Sequence, residues 1–153
     1  MTIARYVICC GTAAGFATLA AMTVSARGAG KHPLQPVNAT SHWLHGEKAA
    51  AVRRVDLAHT APALITHFAS CAFWALPFAR WLVSRPPRSP LHMLGEASLL
   101  SAFAAAFDYG VVPKRLTPGW ELALPGRAVA AIFAAMALGL AAGGLAAQDK
   151  HPS

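Results

Sequence analysis

Cations divide this chain into four long apolar stretches. No Lys or Arg lies between Arg5 and Arg27, Arg54 and Arg80, Arg88 and Lys114, or Arg127 and Lys150. Each interval is 21 to 25 residues long and is dominated by Ala, Leu, Val, Ile and Phe. A helix of about 20 apolar residues crosses a hydrocarbon core about 30 Å thick. The pattern therefore predicts an all-α protein: a small integral-membrane bundle of four antiparallel transmembrane helices, at about residues 6–26, 57–83, 91–112 and 122–147. With so little chain left between them, the four spans form one membrane domain covering residues 1–153.

Local signals mark the ends of each span. In the first, Gly11 and Gly15 stand four apart and leave a groove that admits another helix closely. Arg5 followed by an apolar run and Val24-Ser25-Ala26 also fits a cleaved signal peptide, but the run exceeds the usual 7–15-residue signal core. A retained helix is the expectation. Pro77 is expected to kink the end of the second span. The stretch Arg85-Pro86-Pro87-Arg88-Ser89-Pro90 reads as a tight turn that returns the third helix beside the second. Gly110 and Pro113 stop the third. In the fourth, Pro125 and Gly126 fit the first turn, and Ala131, Ala135, Gly139 and Gly143 make a small-residue stripe suited to close packing.

The longest connection, 27–56, begins with helix-breaking Pro33 and Pro36. Asn38-Ala39-Thr40 matches a glycosylation sequon, a pattern of meaning only in a secreted eukaryotic protein. Ser41 is placed to cap a short helix. An interfacial helix is expected within about residues 41–55, where Lys48, Arg53 and Arg54 border apolar residues. Trp43, Trp81 and Trp120 are expected at headgroup depth.

Composition fits the same picture. Of 153 residues, 56% are hydrophobic and 12% charged, against about 25% charged in a soluble domain. The net charge of +7 would suit nucleic acid only if the cations clustered on one face. They mark span edges instead, so the lipid bilayer is the partner and nucleic acid is not. Cys9, Cys10 and Cys71 all fall in apolar spans and give no disulfide framework. Nine Arg against four Lys, with abundant Ala, fits a bacterial chain and hence its cytoplasmic (inner) membrane. If the tails and the 84–90 turn share a side, that side holds five cations and the other holds eight. The positive-inside rule then puts both termini outside.

Two acids break the third apolar interval. Glu96 and Asp108 are about 18 Å apart along a helix and about 120° around it, too far to act as a pair. The eight large apolar residues of this span favour insertion by about −2.4 to −4.8 kcal/mol, whereas one central Asp costs about 2.5 to 3.5 kcal/mol. The third helix therefore depends on polar shelter between its neighbours. Asp108 also falls in the last turn, where the helix dipole disfavours an anion. Lys114, Arg115 and Arg127 are the cations near enough to offset it. Intramembrane acids mark ion or proton pathways in some proteins and pin helices in others.

His59 and His67 on the second span share a broad face, with His67 near mid-bilayer, suited to hydrogen bonding across helices. His42 and His45 have the i, i+3 spacing of a metal pair, yet zinc takes three or four protein ligands and no third is evident. No cofactor is called for. No catalytic residue emerges: the chain has no P-loop, no His-Glu-x-x-His and no Cys-x-x-Cys. The expectation is a non-catalytic membrane partner or assembly component, joined to a second copy or another membrane protein through its Gly-rich faces. The alternatives are a small ion- or proton-handling transport component and a membrane-embedded metal- or haem-binding protein.

Overall fold

The computed structural model describes residues 2–148, so Asp149 and the polar tail lie outside the described residues. The described residues contain helices and no strand. Four helices are long: α1 (Ile3–Gly28), α4 (Thr60–Val83), α5 (Pro90–Gly110) and α6 (Gly126–Ala147). Two are short: α2 (Leu34–Ala39) and α3 (His42–His45). Three helices, α1, α4 and α6, are long and apolar enough to cross a membrane. The fourth long helix, α5, has the length for a span, but Glu96 and Asp108 dilute its apolar content.

The core holds large apolar side chains, among them Trp74, Phe78, Ile132 and Leu140, but many buried positions carry small or polar residues. These include Cys10, Gly11, Ala14, Gly15 and Thr18 on α1, and Ala97, Ser101 and Ala104 on α5. Other large apolar side chains point away from the protein, including Ile8 and Phe16 on α1, Ile65 and Phe73 on α4, Leu99 and Phe103 on α5, and Leu138 on α6. Small residues between helices with bulky ones outside is the distribution expected where lipid is the solvent.

The closest seam joins α1 to α6. A Cβ added at Gly139 would lie 2.5 Å from Ala14 Cα, and one at Gly143 would lie 2.4 Å from the Cys9 carbonyl oxygen. Here the two backbones touch, and only glycine permits it. On its other side α1 meets α4, with Gly11 against Ala72 and Gly15 against the Phe68 ring. Of the remaining stripe on α6, Ala135 is half-buried and Ala131 is exposed. Helix α5 packs on α6, where Ser101 Oγ donates to the Phe133 carbonyl at 2.6 Å, and its backbone comes close to α4 at few points, the two meeting mainly through the Trp74, Phe103 and Phe107 rings.

Several boundaries differ from the sequence expectation. The second span starts at Thr60, not residue 57, because Asp56 and His59 form a hydrogen-bonded turn before it. The fourth starts at Gly126, since Trp120–Leu122 forms a separate 3-10 turn and Pro125 is extended at the helix entry. Pro77 lies inside α4, which runs on to Val83.

The expected interfacial helix near 41–55 is only the single turn α3 followed by a 3-10 segment at Glu47–Ala51. Helix α2 forms despite Pro36, because that proline falls in the first turn, where backbone N–H groups have no intrahelical partner. Ser41 makes no capping bond; its hydroxyl donates to the Asn38 carbonyl at 2.8 Å.

Buried amides organise this connection. Asn38 Nδ2 donates to the Val52 and Arg54 carbonyls, while Asn38 Oδ1 accepts from Thr60 Oγ1 at 2.8 Å. Gln35 Nε2 donates to the Ala50 carbonyl. The Asn38 side chain is fully buried and committed to these bonds, so the sequon has a structural use and is inaccessible in the folded chain.

Candidate functional site: an aromatic cavity at one end of the bundle

Because the backbones of α4 and α5 come close at few points, a cavity of about 590 Å³ opens between them at the end where α4 begins and α5 finishes. Its walls include the rings of Trp43, Trp74, Phe107 and Trp120, together with His67 and Asp108. The two connections close over this end. Arg115 Nε donates to the Trp43 carbonyl at 3.1 Å. The ring nitrogens of His42 face the carbonyls of Ala39 at 3.1 Å and Lys114 at 3.0 Å, so His42 links the first connection to the last. Gly119 has φ of 80°, and an added Cβ would meet the Ala39 carbonyl oxygen at 2.5 Å. Glycine there allows both the left-handed backbone and the close approach.

Two of the three tryptophans lining the cavity are held by their own N–H groups. Trp43 Nε1 donates to Thr66 Oγ1 at 3.1 Å, and Trp120 Nε1 to Thr40 Oγ1 at 3.2 Å. Trp74 is braced edge-on by Phe103 and Phe107. Of the three expected interfacial tryptophans, Trp43 is partly exposed, and Trp81 is exposed with the Arg85 guanidinium 3.7 Å from its ring centroid. Trp120 is 6% exposed. It is a wall of the cavity, not an outward anchor.

His67 bonds across to α1, not to either acid. Its Nε2 lies 3.0 Å from Thr18 Oγ1 and 3.1 Å from the Gly15 carbonyl oxygen. The Thr18 hydroxyl donates to the Ala14 carbonyl at 2.7 Å, so the proton between Thr18 and His67 belongs to the imidazole. Nε2–H is then the donor and Nδ1 the lone pair. Gly15 supplies this contact because its missing side chain leaves room for α4 to approach.

The two acids of α5 sit in different settings. Glu96 Oε1 lies 3.2 Å from Arg88 Nε, forming a partly buried ion pair at the opposite end of α5 from the cavity. The Arg88 backbone N–H donates to Gln148 Oε1, and Gln148 Nε2 donates back to the Arg88 carbonyl, fastening the 84–89 turn to the end of α6. Asp108 lines the cavity. Among the described residues it has no ion pair; Lys114, Arg115 and Arg127 do not reach it. The end of α5 is fastened instead by Tyr109, whose hydroxyl donates to Glu121 at 2.9 Å; Glu121 also accepts from Thr117.

His59 precedes α4 and shares no helix face with His67. Its backbone N–H and Nδ1 both meet Asp56 Oδ1, at 2.7 and 3.0 Å. The His59 N–H bond holds the Asp56 carboxyl below its ordinary pKa, helped by the His59 ring and Arg54. The His45 ring lies tilted against His59, with centroids 4.3 Å apart, and sets its Nε2 2.6 Å from the Ala58 carbonyl oxygen. Backbone carbonyls thus face ring nitrogens of both His42 and His45, and the described residues contain no group of three ligating side chains.

Sequence reasoning found His67 and Asp108 but missed the aromatic walls. Trp74, Phe107 and Trp120 are far apart in the chain, and their meeting depends on how far α4 and α5 splay. No protein-family model, curated protein or solved structure matches this chain, so its own residues carry the functional argument.

Proposed function

We propose that this chain is a non-catalytic multi-pass membrane protein with four antiparallel spans, whose working part is the aromatic cavity. Three helices suit a membrane by length and composition. Support for α5 as the fourth comes from Leu91, Leu99 and Phe103, which it turns outward like the bulky residues of the other three. The antiparallel arrangement is supported by contacts running in opposite order along neighbours: Gly139 with Ala14 and Gly143 with Cys10, then Gly11 with Ala72 and Gly15 with Phe68. Retention of α1 is supported by its contacts with both α4 and α6. Cation counting favours both termini outside, which puts the cavity at the cytoplasmic end of a bacterial inner-membrane protein.

The observation that carries the reading is a cavity walled by Trp43, Trp74 and Trp120, two of them tethered through their N–H groups. A site of this size with mostly apolar walls and few polar groups is typical of small-molecule pockets. The bundle would serve as a holder or presenting component within a membrane assembly. The ion-handling alternative has less support, since Glu96 is paired with Arg88 and no hydrogen-bonded chain of described residues joins it to Asp108. A metal- or haem-binding role lacks a grouped ligand set among the described residues.

The test is purification from native membranes in mild detergent, followed by native mass spectrometry of the wild type and of Ala69→Phe, which adds a bulky ring to the cavity lining. A small molecule retained by the wild type and missing from the variant supports the proposal. Identical masses carried by both would refute it. A reporter fused at the C-terminus tests the orientation and should respond as a periplasmic one.

A further inference from the structure

The polar groups around the cavity are unevenly matched. Both wall tryptophans at the connections have already given their N–H groups to Thr66 and Thr40. His67 donates from Nε2 to α1, while its Nδ1 has no hydrogen-bond partner among the described residues, although the side chain is 96% buried. Asp108 brings a carboxyl group that no cation of the described protein approaches. The vacant positions thus include two acceptors, His67 Nδ1 and Asp108, beside the Trp74 N–H and the hydroxyls of Thr66 and Ser70, which can turn either way.

Two further features favour positive charge. Asp108 stands in the last turn of α5, where the unsatisfied carbonyls give the helix end a partial negative charge. A cation would offset both the carboxylate and the dipole. The walls add the faces of Trp43, Trp74 and Trp120, and aromatic faces attract cations within about 6 Å of a ring centroid. A bare metal ion would leave most of this apolar surface unused.

We propose that the cavity binds an organic ammonium, its cationic head between Asp108 and the tryptophan faces and its apolar portion filling the remainder. The inference rests on the cavity being a ligand site. Two sources offer this chemistry: a free amphipathic amine and the choline or ethanolamine headgroup of a lipid.

The experiment uses the full chain in a non-ionic detergent, with intrinsic tryptophan fluorescence as the readout. The probes are 3-phenylpropyl-trimethylammonium and its neutral isostere, in which carbon replaces the nitrogen. The wild type should bind the ammonium at least about tenfold more tightly than the isostere. Asp108→Asn should lower that preference to about threefold or less while binding of the isostere persists. Adding phosphatidylcholine tests the source: competition with the ammonium indicates a headgroup site, and no competition indicates a free amine.

Equal wild-type affinity for the two probes would overturn the charge inference and leave the cavity reading intact. Binding of neither probe would overturn both. The wild-type comparison needs no substitution, so a poorly folding Asp108→Asn protein would not rescue the proposal.

Discussion

Replacing Gly143 with alanine is a sharp test of how this bundle is held together. The new Cβ would lie 2.4 Å from the Cys9 carbonyl oxygen and 2.5 Å from Cys10 Cα. Both obstacles are backbone, so no side-chain rotation relieves them, and α1 and α6 must separate by about 1 Å to reach ordinary van der Waals contact. A gap of that size forfeits up to half of each atom pair's attraction of about 0.1–0.2 kcal/mol. Spread over about 20 pairs, the loss is about 1–2 kcal/mol, within the range of about 1–3 kcal/mol for overpacked interiors.

Two internal controls sharpen the measurement. At Gly144 the nearest atom is the Met93 sulfur at 2.8 Å, on a flexible side chain that can swing aside. At Gly95 nothing lies within 4 Å, and alanine should even gain helix propensity, about 1 kcal/mol in water. The expected order of stability in detergent, by thermal or SDS-induced unfolding, is Gly95→Ala highest, Gly144→Ala next and Gly143→Ala lowest. Gly139→Ala should resemble Gly143→Ala, since its obstacle is Ala14 backbone at 2.5 Å. A Gly143→Ala protein as stable as Gly95→Ala would refute the backbone-contact seam.

Three further outcomes are expected. A double-mutant cycle with Thr18→Val and His67→Leu should give a coupling of about 0.6 kcal/mol, typical of interhelical hydrogen bonds in membranes; zero coupling would mean that the 3.0 Å contact adds nothing. Glu96→Gln should destabilise the protein by about 1 kcal/mol or less, given a partly exposed pair, and adding Arg88→Gln should recover part of that loss. Asp56 has a lowered pKa through the His59 N–H, so its contribution is present at and above the ordinary carboxylate range and is lost as pH falls through its lower folded value. Hydrogen exchange at residues 56–60 should therefore accelerate in acid, beyond the intrinsic pH dependence, for the wild type but not for Asp56→Asn.

Helix positions were legible because cations cannot lie mid-membrane and so punctuate the chain. The four long helices fall inside the four cation-free intervals apart from their end turns. Glycine spacing also spoke plainly at Gly139 and Gly143, because a backbone approach has few other solutions. The first connection was opaque for the opposite reason. Its order comes from Gln35 and Asn38, whose amides reach carbonyls 15 and 14 residues ahead, and such bonds leave no periodic trace. The cavity was half legible. Asp108 stood out as an acid in an apolar run, whereas Trp120 looked like an interfacial anchor until the last connection folded it under Thr40.

The seam between α1 and α6 has a consequence for biogenesis. Helices leave the ribosome in chain order, so α1 emerges before α4 and α5, yet its largest contact is with α6, which follows them. Until α6 is made, the Cys9–Ala14 face of α1 has no permanent neighbour, and α5 must wait beside α4, which its backbone approaches at few points, with Glu96 and Asp108 in place. With α5 as a span, as proposed above, α1, α4 and α5 precede α6 as a loosely associated three-helix stage. Helix α6, 22 residues long, then both closes the seam with α1 and relieves the dependence of α5. Chains ending before Gly126 should therefore be recognised and degraded by membrane quality control far faster than the full protein.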